Sequence, residues 1–265
     1  MNTRQLEVLF APCEQDALAA RSLGRTVCVV FDILRFTSTL VTALANGAES
    51  VLPVREIPEA LDAKARDPDA LLAGERHGIR IGRELTGGLE FDFGNSPSEF
   101  TRERVQGKPL IATTTNGTRA LVACRGASSV LVGSFLNLAV TAAFVERLEF
   151  EDLILVCSGT ENQAAMEDVI AAGAFADLLW GHFASDRVTD SARMARSIYL
   201  LAAKDLEGAL GMSRNGKRLL GIPELARDVA LCGRRDIAPL VAGMVEGRIR
   251  QFGDSKPIPG GQTNS

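Results

Sequence analysis

The sequence predicts an α/β fold: a three-layer, sandwich-like arrangement in which a largely parallel or mixed sheet is flanked by helices. Three observations carry that expectation. Apolar runs of strand length alternate with amphipathic stretches over the first two-thirds of the 265 residues, as in strand–helix units whose sheet is covered on both faces. Apolar residues make up 46% of the chain and charged residues 23%, which suits a globular protein with a sizeable core. Three apolar runs end in hydroxyl-rich turns leading into helices, "FDILRFTST", "IATTTNGT" and "LVCSGT". In parallel sheets such turns fall at the carboxyl ends of strands, where ligands bind.

In chain order, "LEVLF" and "TVCVVF" read as strands, and "TSTLVTALANGA" as a helix closed by Gly47. "SVLPV" is a strand and "PEALDAKARD" a helix with Pro58 in its first turn. "ALLAGER" is a short strand that runs into the Gly-rich "GGLEFDFGNSP", and "PSEFTRERV" starts another helix. Three strand–helix pairs follow: "LIATTTNGT" with "RALVACRG", "SVLVGSF" with "LAVTAAFVERL", and "DLILVCSGT" with "EDVIAAGAFADLLWGHF". From Asp190 onward the pattern is mostly helical, with a return strand or turn near "DIAPLVAGMV". The expected organisation is a single α/β unit over residues 1–252, with two related lobes left open, and a polar Gly- and Pro-rich tail over 253–265.

Composition narrows the partners. A net charge of −4 leaves no general basic footprint for nucleic acid. No apolar run reaches membrane-spanning length, and "MNTRQLEVLFAP" lacks a signal peptide's basic start and long apolar core, so a cytoplasmic location away from membranes is expected. The five cysteines are scattered without a C-x-x-C pair, which argues against a zinc knuckle or a disulfide framework. With two histidines only, a metal would have to be held by oxygen ligands. A homo-oligomer is the default for an enzyme of this kind.

The residues that could carry chemistry lie at the turns. In "TTTNGT", Asn116-Gly117 tolerates positive φ and Thr118 starts the next helix. Thr114, Thr115, Thr118 and the turn's amides can cradle an anion, with helix capping as the alternative. Asp32, Glu75, Glu167 and Asp168 stand beside such turns. A hard cation such as Mg²⁺ takes one or two carboxylates plus water and phosphate, although an acid in a helix's first turn also suits its dipole. Arg35 and Arg76 match phosphate, sulfonate or carboxylate oxygens, or else pair with a neighbouring acid. Thr37 and Ser38, Asn95 in "FGNSP", and Cys157, Ser158 and Gly159 in "CSGT" complete the candidates. Cys157 reads equally as a small buried residue.

Familiar phosphatase signatures are nearly present and fail. An aspartyl-nucleophile enzyme needs a second Asp two positions after Asp32, where Leu34 stands. A cysteine phosphatase needs Arg six positions after its Cys; Cys28 leads to Leu34 and Cys157 to Gln163. "RHG" at 76–78 lacks the second catalytic histidine of histidine phosphatases, because His182 lies late in a helix.

Six blocks in order, "FDILRFTSTLVTALANGA", "GERHG", "FGNSP", "ATTTNGTRAL", "CSGT" with "MEDVIAAGA", and "DVALCGRRDIAPLV", resemble the 2-phosphosulfolactate phosphatase family of coenzyme M biosynthesis. The resemblance spans about residues 29 to 240 and implies a family-specific α/β fold. It also implies a Mg²⁺-dependent hydrolase that converts 2-phospho-3-sulfolactate, a small phosphorylated and sulfonated acid, into 3-sulfolactate and phosphate. Asp32 would then be a metal ligand or base, with Glu75, Glu167 and Asp168 as further ligand candidates. "TTTNGT" would grip the phosphate, and Arg35 or Arg76 the sulfonate or carboxylate. Two residues depart from the family pattern: Phe36, where a small residue is more usual and a pocket would be reshaped, and Phe93, where Leu is expected. Two alternatives stay open, a phosphatase for another small phosphorylated hydroxy acid and a non-catalytic anion-binding regulatory protein.

Overall fold

All six residues of Thr26–Phe31 are buried, and their alternation builds the layers. In a strand, successive side chains point to opposite faces. Val27, Val29 and Phe31 join one core with Ile170, Phe175 and Ala195. Cys28 and Val30 join another with Leu40, Val41 and Leu121. The helices Met166–Leu179 and Asp190–Ala202 therefore cover one face, and Phe36–Ala45 and Gly117–Ala123 the other. This three-layer α/β architecture is seen in a computed structural model that describes residues 4–252. The tail expected over 253–265 lies outside the described residues.

The strands are β1 (Gln5–Leu9), β2 (Thr26–Phe31), β3 (Ser50–Pro53), β4 (Leu71–Arg76), β5 (Ile79–Arg80), β6 (Pro109–Thr113), β7 (Ser129–Gly133), β8 (Asp152–Cys157), β9 (Val241–Val245) and β10 (Arg248–Phe252). They form one mixed sheet in the order β1-β8-β2-β7-β9-β10-β3-β6-β4-β5. Pairing is parallel within β1-β8-β2-β7 and within β3-β6-β4. The β9–β10 hairpin joins these sets through antiparallel contacts on both sides. Three antiparallel steps make β3, β6 and β4 run opposite to β2, β7 and β8. Neighbouring strands twist by about 20–25°, which over the five steps from β2 to β6 accumulates to roughly 100–125°. That twist lets the carboxyl ends of both sets approach one cleft.

The expected return strand is β9. Its partner β10 was not expected, because "RIRQF" has too few apolar residues to read as an inner strand. The turn before it does carry a signal: Glu246 and Gly247 both have positive φ, 50° and 78°, as a two-residue hairpin turn requires. The helix expected from "PSEFTRERV" divides into a 3-10 turn, Pro97–Glu99, and a short helix, Arg102–Val105. Between them Phe100 turns inward to stack on Phe93, with centroids 4.6 Å apart.

Candidate active site

The cleft at these carboxyl ends is lined by residues far apart in sequence, among them Asp32, Glu75, Asn95, Thr115, Gly159 and Asp168. Asp32 follows β2 directly, where its backbone is held by Thr37: the Thr37 N–H and hydroxyl both donate to the Asp32 carbonyl, at 2.8 and 2.9 Å. Its carboxylate accepts the Phe36 N–H through Oδ1 at 3.2 Å. Across the cleft floor lies Gly117, where a Cβ would sit 2.5 Å from Asp32 Oδ2 and 2.3 Å from the Phe36 ring. Only glycine lets the "TTTNGT" turn come this close to the carboxylate.

Asp168, in the first turn of Met166–Leu179, reaches back under the same loops. Its Oδ1 accepts from Ile33 N–H at 2.8 Å, and its Oδ2 from Gly159 N–H at 3.1 Å and the Ser158 hydroxyl at 3.3 Å. Burial, then the charges of Glu167 and Asp32, pushes its carboxyl well above the ordinary range. Burial also pushes Asp32 up to about 6, against hydrogen bonds from Phe36 and Ser158, with Glu75 and Glu167 adding to the rise. Two neighbouring acids that resist ionisation make a site short of positive charge.

A raised carboxyl pKa means that the folded state holds the proton more tightly than the unfolded chain, whose value is about 3.9. Stability from Asp32 is therefore full below about pH 4 and is lost as pH rises through about 6. The Asp32→Asn variant is expected to gain thermal stability over the cation-free native protein at pH 7.5, and to lose that advantage at pH 4.5. Calorimetric scans at the two pH values decide this; a difference of Tm independent of pH would contradict the buried charge.

Glu75 is a brace between loops. Its Oε1 accepts from the Thr115 N–H and hydroxyl at 3.0 and 3.2 Å, and its Oε2 from Gly78 N–H at 2.6 Å. The side-chain amides of Asn95 and Asn116 line the cleft and make no hydrogen bond among the described residues. Thr114 and Thr118 bond one another: the Thr118 hydroxyl donates to the Thr114 carbonyl at 3.0 Å, and the Thr118 N–H to the Thr114 hydroxyl at 3.3 Å.

Several candidates fall outside this cleft. Thr37 spends its hydroxyl on Asp32, and Ser38 bonds the Ile33 carbonyl and the Ser134 hydroxyl, so both are turn supports. Arg76 holds the Glu75 carbonyl and the Thr113 hydroxyl, tying β4 to β6. Cys157 is fully buried, and burial pushes its thiol well up. Glu167 is buried and accepts from the Asn215 amide at 2.6 Å. Phe36 is buried and packs against Gly117, and it lines a small adjoining pocket with Asn95 and Thr114, which also line the cleft. Arg35 reaches the cleft but is committed: Nη1 pairs with Asp228 at 2.8 Å, and Nη2 donates to the Gly78 carbonyl at 3.0 Å.

His77, met in the sequence only as part of "RHG", also lines the cleft, as do Thr160, Asn215 and Arg218, which were not singled out from the sequence. Asn215 and Arg218 sit three positions apart in Arg214–Leu220 and so share a helix face, a spacing that could have flagged them. Among the described residues no group of three or more His, Cys, Asp or Glu is arranged to hold a metal ion. The donor set fits the sparser Mg²⁺ mode, in which one or two carboxylates suffice and phosphate and water fill the remaining positions. The buried, charge-starved pair Asp32 and Asp168 is the group that fits it.

A family model described as 2-phosphosulpholactate phosphatase matches residues 14–247. The chain belongs to this family. It is 35% identical over 235 residues to a Clostridium acetobutylicum protein named "Probable 2-phosphosulfolactate phosphatase", covering 88% of this chain and 96% of that one. Proteins of the same name from Thermotoga petrophila and Pseudothermotoga lettingae are 36% and 40% identical, covering 91% and 84% of this chain and 96% and 91% of theirs. The family name denotes a phosphoric monoester hydrolase. No helix among the described residues is long and apolar enough to cross a membrane.

Proposed function

We propose that this protein hydrolyses 2-phospho-3-sulfolactate to 3-sulfolactate and phosphate with the aid of Mg²⁺, a step of coenzyme M biosynthesis. The observation that carries the proposal is the meeting of Asp32 and Asp168 with the "TTTNGT" turn in one cleft, at loops from both strand sets. Membership of the family supports the same reading.

In this reading Asp32 and Asp168 would hold the cation. A bound divalent cation neutralises phosphate charge and polarises the ester. The free amides of Asn95 and Asn116 donate to phosphate oxygens, orienting the group that transfers. Glu75 fixes the Thr115 backbone, so the turn meets the phosphate without rearranging. Phosphoryl transfer needs mostly positioning and charge stabilisation, and these groups supply both.

The test is phosphate release from a panel of small phosphate monoesters, some with a sulfonate or carboxylate, with Mg²⁺ and after chelation. We expect turnover of 2-phospho-3-sulfolactate above its sulfonate-free analogue, abolished by chelator and restored by Mg²⁺. No release from any ester would overturn the proposal, and undiminished release in chelator would remove the cation from it.

A further inference from the structure

A substrate with a phosphate and a second acidic group brings several negative charges into a cleft already lined by Asp32, Glu75 and Asp168. A cation at the phosphate end leaves the carboxylate and the sulfonate uncompensated, and an arginine elsewhere in the cleft would suit either of them. Two arginines line it. Arg35 is spent: it is 4% exposed and bonded to Asp228 and the Gly78 carbonyl. The Arg218 side chain makes no hydrogen bond or ion pair among the described residues.

Arg218 is an exposed residue whose head group rests against one wall of the cleft. Its guanidinium lies flat against Gly78, where a Cβ would fall 3.3 Å from Nη2, 3.4 Å from Cζ and 3.8 Å from Nε. Gly78, at φ +79°, is pinned on both sides: its N–H donates to Glu75 and its carbonyl accepts from Arg35. One turn earlier on the same helix, Asn215 is locked by donating to the Thr160 hydroxyl at 2.9 Å and to Glu167. The helix face is thus fixed by Asn215 and the guanidinium rests on a pinned glycine, while its donors are left open. A planar fork of donors suits the oxygens of a carboxylate or sulfonate.

We propose that Arg218 is the specificity-determining residue that binds the acidic end of the substrate away from the phosphate, its sulfonate or carboxylate. The assignment rests on the phosphatase reading of the cleft and gives Arg218 the part expected of Arg35 or Arg76. Arg35 and Glu75 act through Gly78 as positioning residues for it.

The experiment compares native protein, Arg218→Ala and Arg218→Lys on 2-phospho-3-sulfolactate and on glycerol phosphate, which has no second acidic group. Arg218→Ala is expected to lower the ratio of kcat/KM for 2-phospho-3-sulfolactate over glycerol phosphate by about 10- to 100-fold, the range for a hydrogen bond to a charged group. The loss should lie mainly in KM, and Arg218→Lys should recover part of the ratio. Equal losses on both esters, or an unchanged ratio, would overturn the proposal. If native protein releases phosphate from neither ester, the phosphatase reading fails, and calorimetric binding of 3-sulfolactate still decides Arg218. Binding that weakens tenfold or more in Arg218→Ala supports it; absent binding to native protein, or equal binding, sinks it.

Discussion

Asp32→Asn is expected to lower kcat for phosphate release by about a thousandfold or more, with KM changed far less. Such a loss corresponds to several kcal/mol of transition-state stabilisation. The substitution keeps the size of the side chain and an oxygen to accept the Phe36 N–H, so the turn should survive. It removes the negative charge on which either assigned role depends, whether ligating the cation or taking up a proton near neutrality. Steady-state kinetics, with Mg²⁺ affinity measured calorimetrically, separate the two roles. Weakened metal binding marks a ligand; unchanged binding with the same loss of rate marks a base. Near-native turnover would exclude both. The stability gain expected of the same variant at neutral pH then measures what the native fold gives up to keep a charge there.

Asp228→Ala is expected to cost about 3–5 kcal/mol, the range for breaking a buried ion pair from one side. Arg35 and Asp228 have side-chain exposures of 3% and 0%, so an unpaired guanidinium has little access to water. Asp228 also accepts from the Ser96 hydroxyl at 2.7 Å, which ties the helix Ala226–Cys232 to the "FGNSP" loop. For a chain of this size the expected fall in Tm is roughly 6–20 °C. Replacing both partners, Arg35→Met with Asp228→Leu, should recover a large part of the loss, because neither charge is then stranded. Urea unfolding of the two single variants and the double variant gives the coupling directly. An Asp228→Ala protein within about 1 kcal/mol of native would show that this pair carries little, against the usual cost of a stranded buried charge.

The parts of the fold written in contiguous residues were legible in the sequence. "TVCVVF" and "DLILVC" could only be inner strands, since every second residue faces a different core. The acids at strand ends and the "TTTNGT" turn could be picked out because their chemistry is local. Which arginine was free could not. The partner of Arg35 lies 193 residues away, in a late helical stretch with no marker of contact to the cleft. Thr37 and Ser38 looked like ligands for the same reason: whether a hydroxyl faces a ligand or its own turn depends on where the next helix starts. The contact of the Phe36 ring with Gly117 was equally out of reach, because the two residues lie on different turns far apart in sequence. The hairpin strand β10 stayed hidden because it is mostly polar and only Ile249 among its residues is buried, so its pairing and not its composition makes it a strand.

That hairpin has a bearing on synthesis. Asp32 and Asp168 belong to one half of the sheet, Glu75 and Thr115 to the other, and the backbone ladders of the halves meet only through β9 and β10. The join is narrow on the β3 side, where Ile249 faces Val51. A ribosome releasing the chain from its amino end completes every cleft-lining residue before it delivers the stitch between the halves. The nascent protein must therefore keep two open strand edges from straying until β9 and β10 emerge, and the joined cleft exists only after both have left the ribosome.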